Sequence, residues 1–62
     1  MTRSIEATSW NQAQGMGVLR AGRIVAVWWD ADTCGGREGS QECAGEFAYE
    51  FGGAVVPVKR KR

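Results

Sequence analysis

Six consecutive apolar residues, IVAVWW at positions 24–29, constrain this chain more than any other feature. Successive side chains of a β-strand point to opposite faces, so Trp28 and Trp29 lie on opposite sides of the strand that this segment predicts. Both faces of that strand therefore need apolar cover. The cover comes from a sheet that closes on itself, from a nearby loop or Trp10, or from a second chain.

The chain has 62 residues, a length that predicts a single domain. A domain of this size buries only about 60% of the surface that its unfolded chain exposes, so its stability is marginal without a disulfide, a metal or a partner. Histidine is absent and there are only two cysteines. We therefore expect no metal site and no cofactor, because structural zinc sites are built from cysteine and histidine ligands.

Short runs of β-branched and aromatic residues between glycine turns predict an all-β fold. We expect a small antiparallel sheet of four or five strands that curls into a partly closed, SH3-like barrel. Ala21-Gly22 marks either a hairpin turn or a bulge in one long strand. Pro57 predicts that its strand lies at a sheet edge or ends there, whereas strand 23–29 should be central because both of its faces need cover. The predicted strands are 4–10, 18–20, 23–29, 46–51 and 54–58, with no helix longer than a turn.

Residues 31–45, ADTCGGREGSQECAG, are predicted to form a long loop that contains both cysteines. A disulfide between Cys34 and Cys43 would close a loop of about ten residues and stabilise the fold by roughly 2–3 kcal/mol. The alternative is two free thiols, since cytosolic cysteines normally stay reduced. The sequence leaves both alternatives open.

The aromatic residues form the predicted interface. One of the paired tryptophans fills the core, and the other belongs to a contact with a partner, because tryptophan is enriched and energetically dominant at interfaces. The alternating segment EFAYEF adds one aromatic face of a strand. The predicted interface residues are Trp28, Trp29, Phe47, Tyr49 and Phe51.

Charge is distributed unevenly along the chain. Residues 1–58, the predicted β domain, carry seven acidic and four basic side chains. The predicted basic C-terminal tail, residues 59–62, adds four positive charges from Lys59, Arg60, Lys61 and Arg62. Such a tail is suited to acidic groups of a neighbouring protein such as Asp30, Asp32 and Glu42, or to nucleic-acid phosphates.

These features exclude several classes of function. Without histidine or a paired nucleophile and base, the chain is not expected to be an enzyme. It has no apolar run of about 20 residues and no signal-peptide core, so we expect a soluble protein made in the cytoplasm and no membrane partner. The sequence predicts a non-enzymatic β interaction or structural subunit, in a homo-oligomer or a larger assembly such as a virus particle. The alternative is a small nucleic-acid-binding β-barrel that uses the basic tail.

Overall fold

A computed structural model describes residues 5–61 of the chain. The elements are β1 (Ile5–Ala7), β2 (Gly15–Arg20), β3 (Arg23–Trp29), α1 (Gly36–Phe51) and β4 (Ala54–Arg60), with 3₁₀ turns at Trp10–Gln12 and Asp30–Asp32. The four antiparallel strands form one sheet in the order β1–β4–β2–β3, which is curled into a half-barrel, and α1 packs on it. Among these residues α1 is the longest helix, and it is not long and apolar enough to cross a membrane.

The mainly antiparallel β architecture agrees with the sequence prediction, and so does the β2–β3 hairpin. Ala21 and Gly22 have φ angles of 54° and 80°, the positive values that a two-residue type I′ hairpin turn requires. The register shifts by one residue between Val18 and Leu19, which leaves Val25 of β3 as a bulge. The closer likeness to an SH3 barrel stays a prediction.

The prediction of an all-β chain without a helix is wrong. Residues 36–51 form α1, in place of the predicted loop 31–45 and strand 46–51. The alternation in EFAYEF led to the wrong prediction because Phe47 and Phe51, four residues apart, lie on the same face of a strand and also on the same face of a helix. Tyr49 distinguishes the two structures: in a strand it shares that face, but in α1 it points away and is 91% exposed.

The predicted positions of two strands are also wrong. β3 lies at an edge of the sheet, and β4 lies between β1 and β2 and continues past Pro57 to Arg60. The Pro57 carbonyl accepts a bond from the Thr8 amide at 3.0 Å. A strand residue directs its N–H and C=O to the same side, so the missing Pro57 N–H faces the chain just beyond β1. The missing N–H therefore removes no hydrogen bond between β4 and β2, and Pro57 lies just beyond the last β1–β4 pair, Ala7 and Val58.

The two faces of β2 explain how the sheet is covered. Met16 and Val18 are fully buried against Ala44 of α1, with Trp28 and Phe47 beside them. The opposite, concave face carries Gly15 and Gly17. A Cβ on Gly17 would lie 3.0 Å from a Val58 methyl and 3.3 Å from an Ile24 methyl, so glycine lets β3 and β4 curl toward each other.

An arginine of the sheet caps the carboxyl end of α1 by a hydrogen bond to a free helix carbonyl. Arg20 donates a hydrogen bond of 2.6 Å to the Phe51 carbonyl, and the last turn of α1 has no basic residue of its own. A cation at this end stabilises the helix dipole. We expect Arg20→Ala to lower the free energy of unfolding by about 1 kcal/mol in urea denaturation, because a carbonyl loses a charged donor.

The matched control for this prediction is Arg23→Ala. Arg23 lies directly opposite Arg20 in the β2–β3 ladder, where two like charges repel each other. Its removal should leave stability unchanged or raise it slightly. Equal losses for the two variants would show that the bond to Phe51 does not stabilise α1.

Candidate functional site

Three of the predicted interface residues meet at one surface groove, which we call the aromatic groove. Trp28 of β3 contacts Phe47 of α1 edge-on, with ring centroids 5.6 Å apart, and Phe47 lies 4.7 Å from Phe51. The groove has a volume of about 330 Å³ and lies between β3 and the second half of α1. It is lined by Trp28, Cys43, Glu46, Phe47, Glu50 and Phe51.

The other two predicted interface residues lie elsewhere. Tyr49 is on the solvent side of α1, outside the aromatic groove. Trp29 is on the concave face of the sheet, where the Arg60 guanidinium lies 4.3 Å above its ring. The two adjacent tryptophans therefore face opposite sides, as predicted, and α1 covers Trp28 from within the chain.

Four glutamates on α1 form an acidic row that sequence reasoning missed. They recur every fourth residue, which places them along one side of a helix. All four are exposed, and none has a cation within ion-pair distance among residues 5–61. The four-residue spacing could have predicted this row, but it places side chains on one side only in a helix, and the segment was predicted as a loop and a strand. The acidic row consists of Glu38, Glu42, Glu46 and Glu50.

Lys59 and Arg60 of the predicted basic tail belong to β4 and already have contacts. Lys59 lies 3.8 Å from the Glu6 carboxylate and donates to the Gln12 side chain at 3.3 Å. Arg60 covers Trp29. Lys61 is exposed, and Arg62 lies outside the described residues. Lys59–Arg62 is called the basic segment below.

The aromatic groove and the described residues of the basic segment lie on different parts of the sheet. Trp28 of the groove is on the face that α1 covers, whereas Arg60 lies over Trp29 on the concave face. Lys59 pairs with Glu6 of β1, at the edge of the sheet opposite β3. The two charged surfaces of one molecule are therefore separated from each other.

Of the acidic residues proposed from the sequence as contacts for the basic tail, Asp30 has another partner. Its carboxylate accepts a bond from Arg37 Nε at 2.8 Å, and Arg37 also donates to the Ala13 carbonyl at 2.9 Å. This pair ties the start of α1 to the end of β3. Asp32 is exposed in the adjoining 3₁₀ turn, and Glu42 belongs to the acidic row.

Both cysteines are free thiols in the structure, which is one of the two alternatives that the sequence left open. Cys34 is exposed before α1, and Cys43 is half-buried in the aromatic groove. Within residues 5–61, no three His, Cys, Asp or Glu side chains converge as a metal site.

A second and larger groove lies on the concave side of the half-barrel, and we call it the edge groove. Its volume is about 680 Å³. It is lined by Ile5–Ala7 of β1, Leu19 of β2, and residues 22–27 of the turn and β3. Both edge strands of the curled sheet thus border the same opening. Comparison of the chain with protein-family models, curated proteins and solved structures finds no match.

Proposed function

We propose that this chain is a non-enzymatic interaction subunit that assembles with copies of itself, head to tail. The aromatic groove and acidic row of one copy bind the basic segment of the next. The observation that carries the proposal is the position of Glu46 and Glu50 at the rim of a groove lined by Trp28, Phe47 and Phe51. Aromatic faces and carboxylates together suit lysine and arginine side chains.

The separation of the two surfaces supports contact between copies rather than within one. Because the groove lies between β3 and α1, whereas Arg60 lies on the concave face and Lys59 beside β1, one copy presents both halves of the contact. Such a heterologous interface produces a ring if its rotation closes, or a filament if it does not. A place in a larger assembly such as a virus particle remains part of the same proposal.

The nucleic-acid alternative has weaker support. Arg20 is bonded to the end of α1, Arg37 to Asp30, and Arg60 lies over Trp29. The cations are thus spread over both ends of the sheet, and α1 presents four carboxylates. A nucleic-acid-binding surface needs its basic groups on one face.

The aromatic part of the proposal is tested with two residues of the last turns of α1. Phe51 is 57% exposed and lines the groove, whereas Tyr49 is 91% exposed and does not. We expect Phe51→Ala to weaken self-association about tenfold or more, as truncation of a buried aromatic anchor does. Tyr49→Ala should leave association unchanged in sedimentation equilibrium. Equal effects of the two variants would contradict the groove as the contact.

The electrostatic part is tested by exchanging charges, which does not alter the core. Glu46→Lys with Glu50→Lys gives the groove the charge of the basic segment, and Lys61→Glu with Arg62→Glu gives the segment the charge of the groove. Each double variant alone should be monomeric. Their mixture should associate again, because one variant's basic groove faces the other's acidic segment. If the mixture stays monomeric, the proposed pairing is wrong.

A further inference from the structure

The two edges of the sheet both border the edge groove, and one of them is long and apolar. β3 has seven residues, and within residues 5–61 its one strand neighbour is β2. Its outer edge therefore offers backbone N–H and C=O groups to another strand. Val25, at the bulge, is 39% exposed in this groove.

Charge at the groove indicates the chemistry of the missing neighbour. Arg23 lines the groove and lies directly opposite Arg20, so two like charges face each other across the ladder. Arg20 is turned to the Phe51 carbonyl, but Arg23 has no carboxylate within ion-pair distance among residues 5–61. A carboxylate on an incoming strand would compensate this charge.

The chain itself contains the same arrangement at the other edge of its sheet. β1 has the sequence Ile-Glu-Ala and pairs with the edge of β4. Its central residue, Glu6, lies directly opposite Lys59, with the carboxylate 3.8 Å from the ammonium. An acidic residue between two aliphatic residues is thus the pattern with which this sheet already binds a short strand.

From these observations we infer that the edge groove binds an extended strand of a partner protein in which aliphatic and acidic residues alternate. The strand pairs its backbone with the outer edge of β3, buries its aliphatic side chains against Leu19 and Ile24, and directs a carboxylate to Arg23. This mode is β-strand addition, in which backbone bonds supply affinity and side-chain contacts supply specificity. The aliphatic contacts lie on the sheet face opposite α1, and the alternating acidic side chains point to the other face, where Arg23 lies opposite Arg20. The site does not depend on the head-to-tail contact.

The test is a titration of the isotope-labelled full chain with an acetylated, amidated octapeptide of alternating valine and glutamate. We expect chemical-shift changes and slower amide hydrogen exchange at residues 23–27. An octapeptide of alternating valine and lysine should bind about tenfold more weakly. Arg23→Glu should reverse the preference between the peptides.

Two exposed valines supply a matched control. Val25 lines the edge groove, whereas Val55 of β4 is 36% exposed and does not. Val25→Lys places a charge on the edge strand and should abolish peptide binding, whereas Val55→Lys should not. The inference is overturned if the valine–glutamate peptide causes no change in β3, if the two lysine variants behave alike, or if Arg23→Glu does not reverse the preference.

Discussion

Replacing Gly39 with alanine is expected to remove about 3 kcal/mol from the free energy of unfolding. A Cβ at this position would overlap the carbonyl oxygen of Cys34 and lie 3.0 Å from the Thr33 methyl. The obstacle is backbone, so the first turn of α1 must move off the preceding segment. Overpacking of this kind costs about 1–3 kcal/mol or more, from a total of about 3–9 kcal/mol for a chain of this length. Urea denaturation followed by circular dichroism measures the loss.

The same helix contains the matched control. Gly45 has open space where its Cβ would be, and its φ angle is not positive. Gly45→Ala should therefore stabilise the protein by about 0.5–1 kcal/mol, because alanine is the better helix former. If both alanine variants are stabilising, α1 does not pack against Cys34 as described.

Truncating Trp28 is the second change with a large expected effect. Its ring joins β3 to α1 through Phe47 and borders the buried cluster of Met16, Val18 and Ala44. We expect Trp28→Ala to cost about 3 kcal/mol, because β3 loses its aromatic contact with the helix and a cavity is left beside the buried cluster. The near-ultraviolet circular dichroism signal of the aromatic pair should also disappear.

The matched control for this prediction is the same substitution at the neighbouring tryptophan, Trp29. Trp29 lies on the concave face and is covered by Arg60, so Trp29→Ala should cost less, about 1–2 kcal/mol. A cost for Trp29→Ala equal to that for Trp28→Ala, or greater, would mean that the concave face holds the main core.

Several features of the fold followed from local patterns. The hairpin was one of two alternatives for Ala21-Gly22, which lie where a two-residue hairpin places its turn, and their positive φ angles show that the hairpin forms. The opposite orientation of Trp28 and Trp29 followed from the alternation of strand side chains. The loop predicted at 31–45 was named as one source of cover, but the ring that contacts Trp28 is Phe47, from the segment predicted as a strand.

What the sequence did not predict depends on tertiary contacts. Gly35, Gly36, Gly39 and Gly45 lower the intrinsic helix propensity of this segment, and packing of Ser40, Ala44 and Phe47 on the sheet overrides it. The position of β4 between β1 and β2 rests on pairings more than 30 residues apart along the chain. Once the helix is missed, the acidic row is missed as well, because its spacing has meaning only on a helix.

The mass in solution tests the proposed self-association most directly. Size-exclusion chromatography with light scattering is run at low and at moderate salt, on protein freed of nucleic acid. We predict a mass that is a multiple of the 6.7 kDa of one chain at low salt and that falls as salt screens the contact between glutamates and the basic segment. A mass of 6.7 kDa at every salt and protein concentration would contradict self-association.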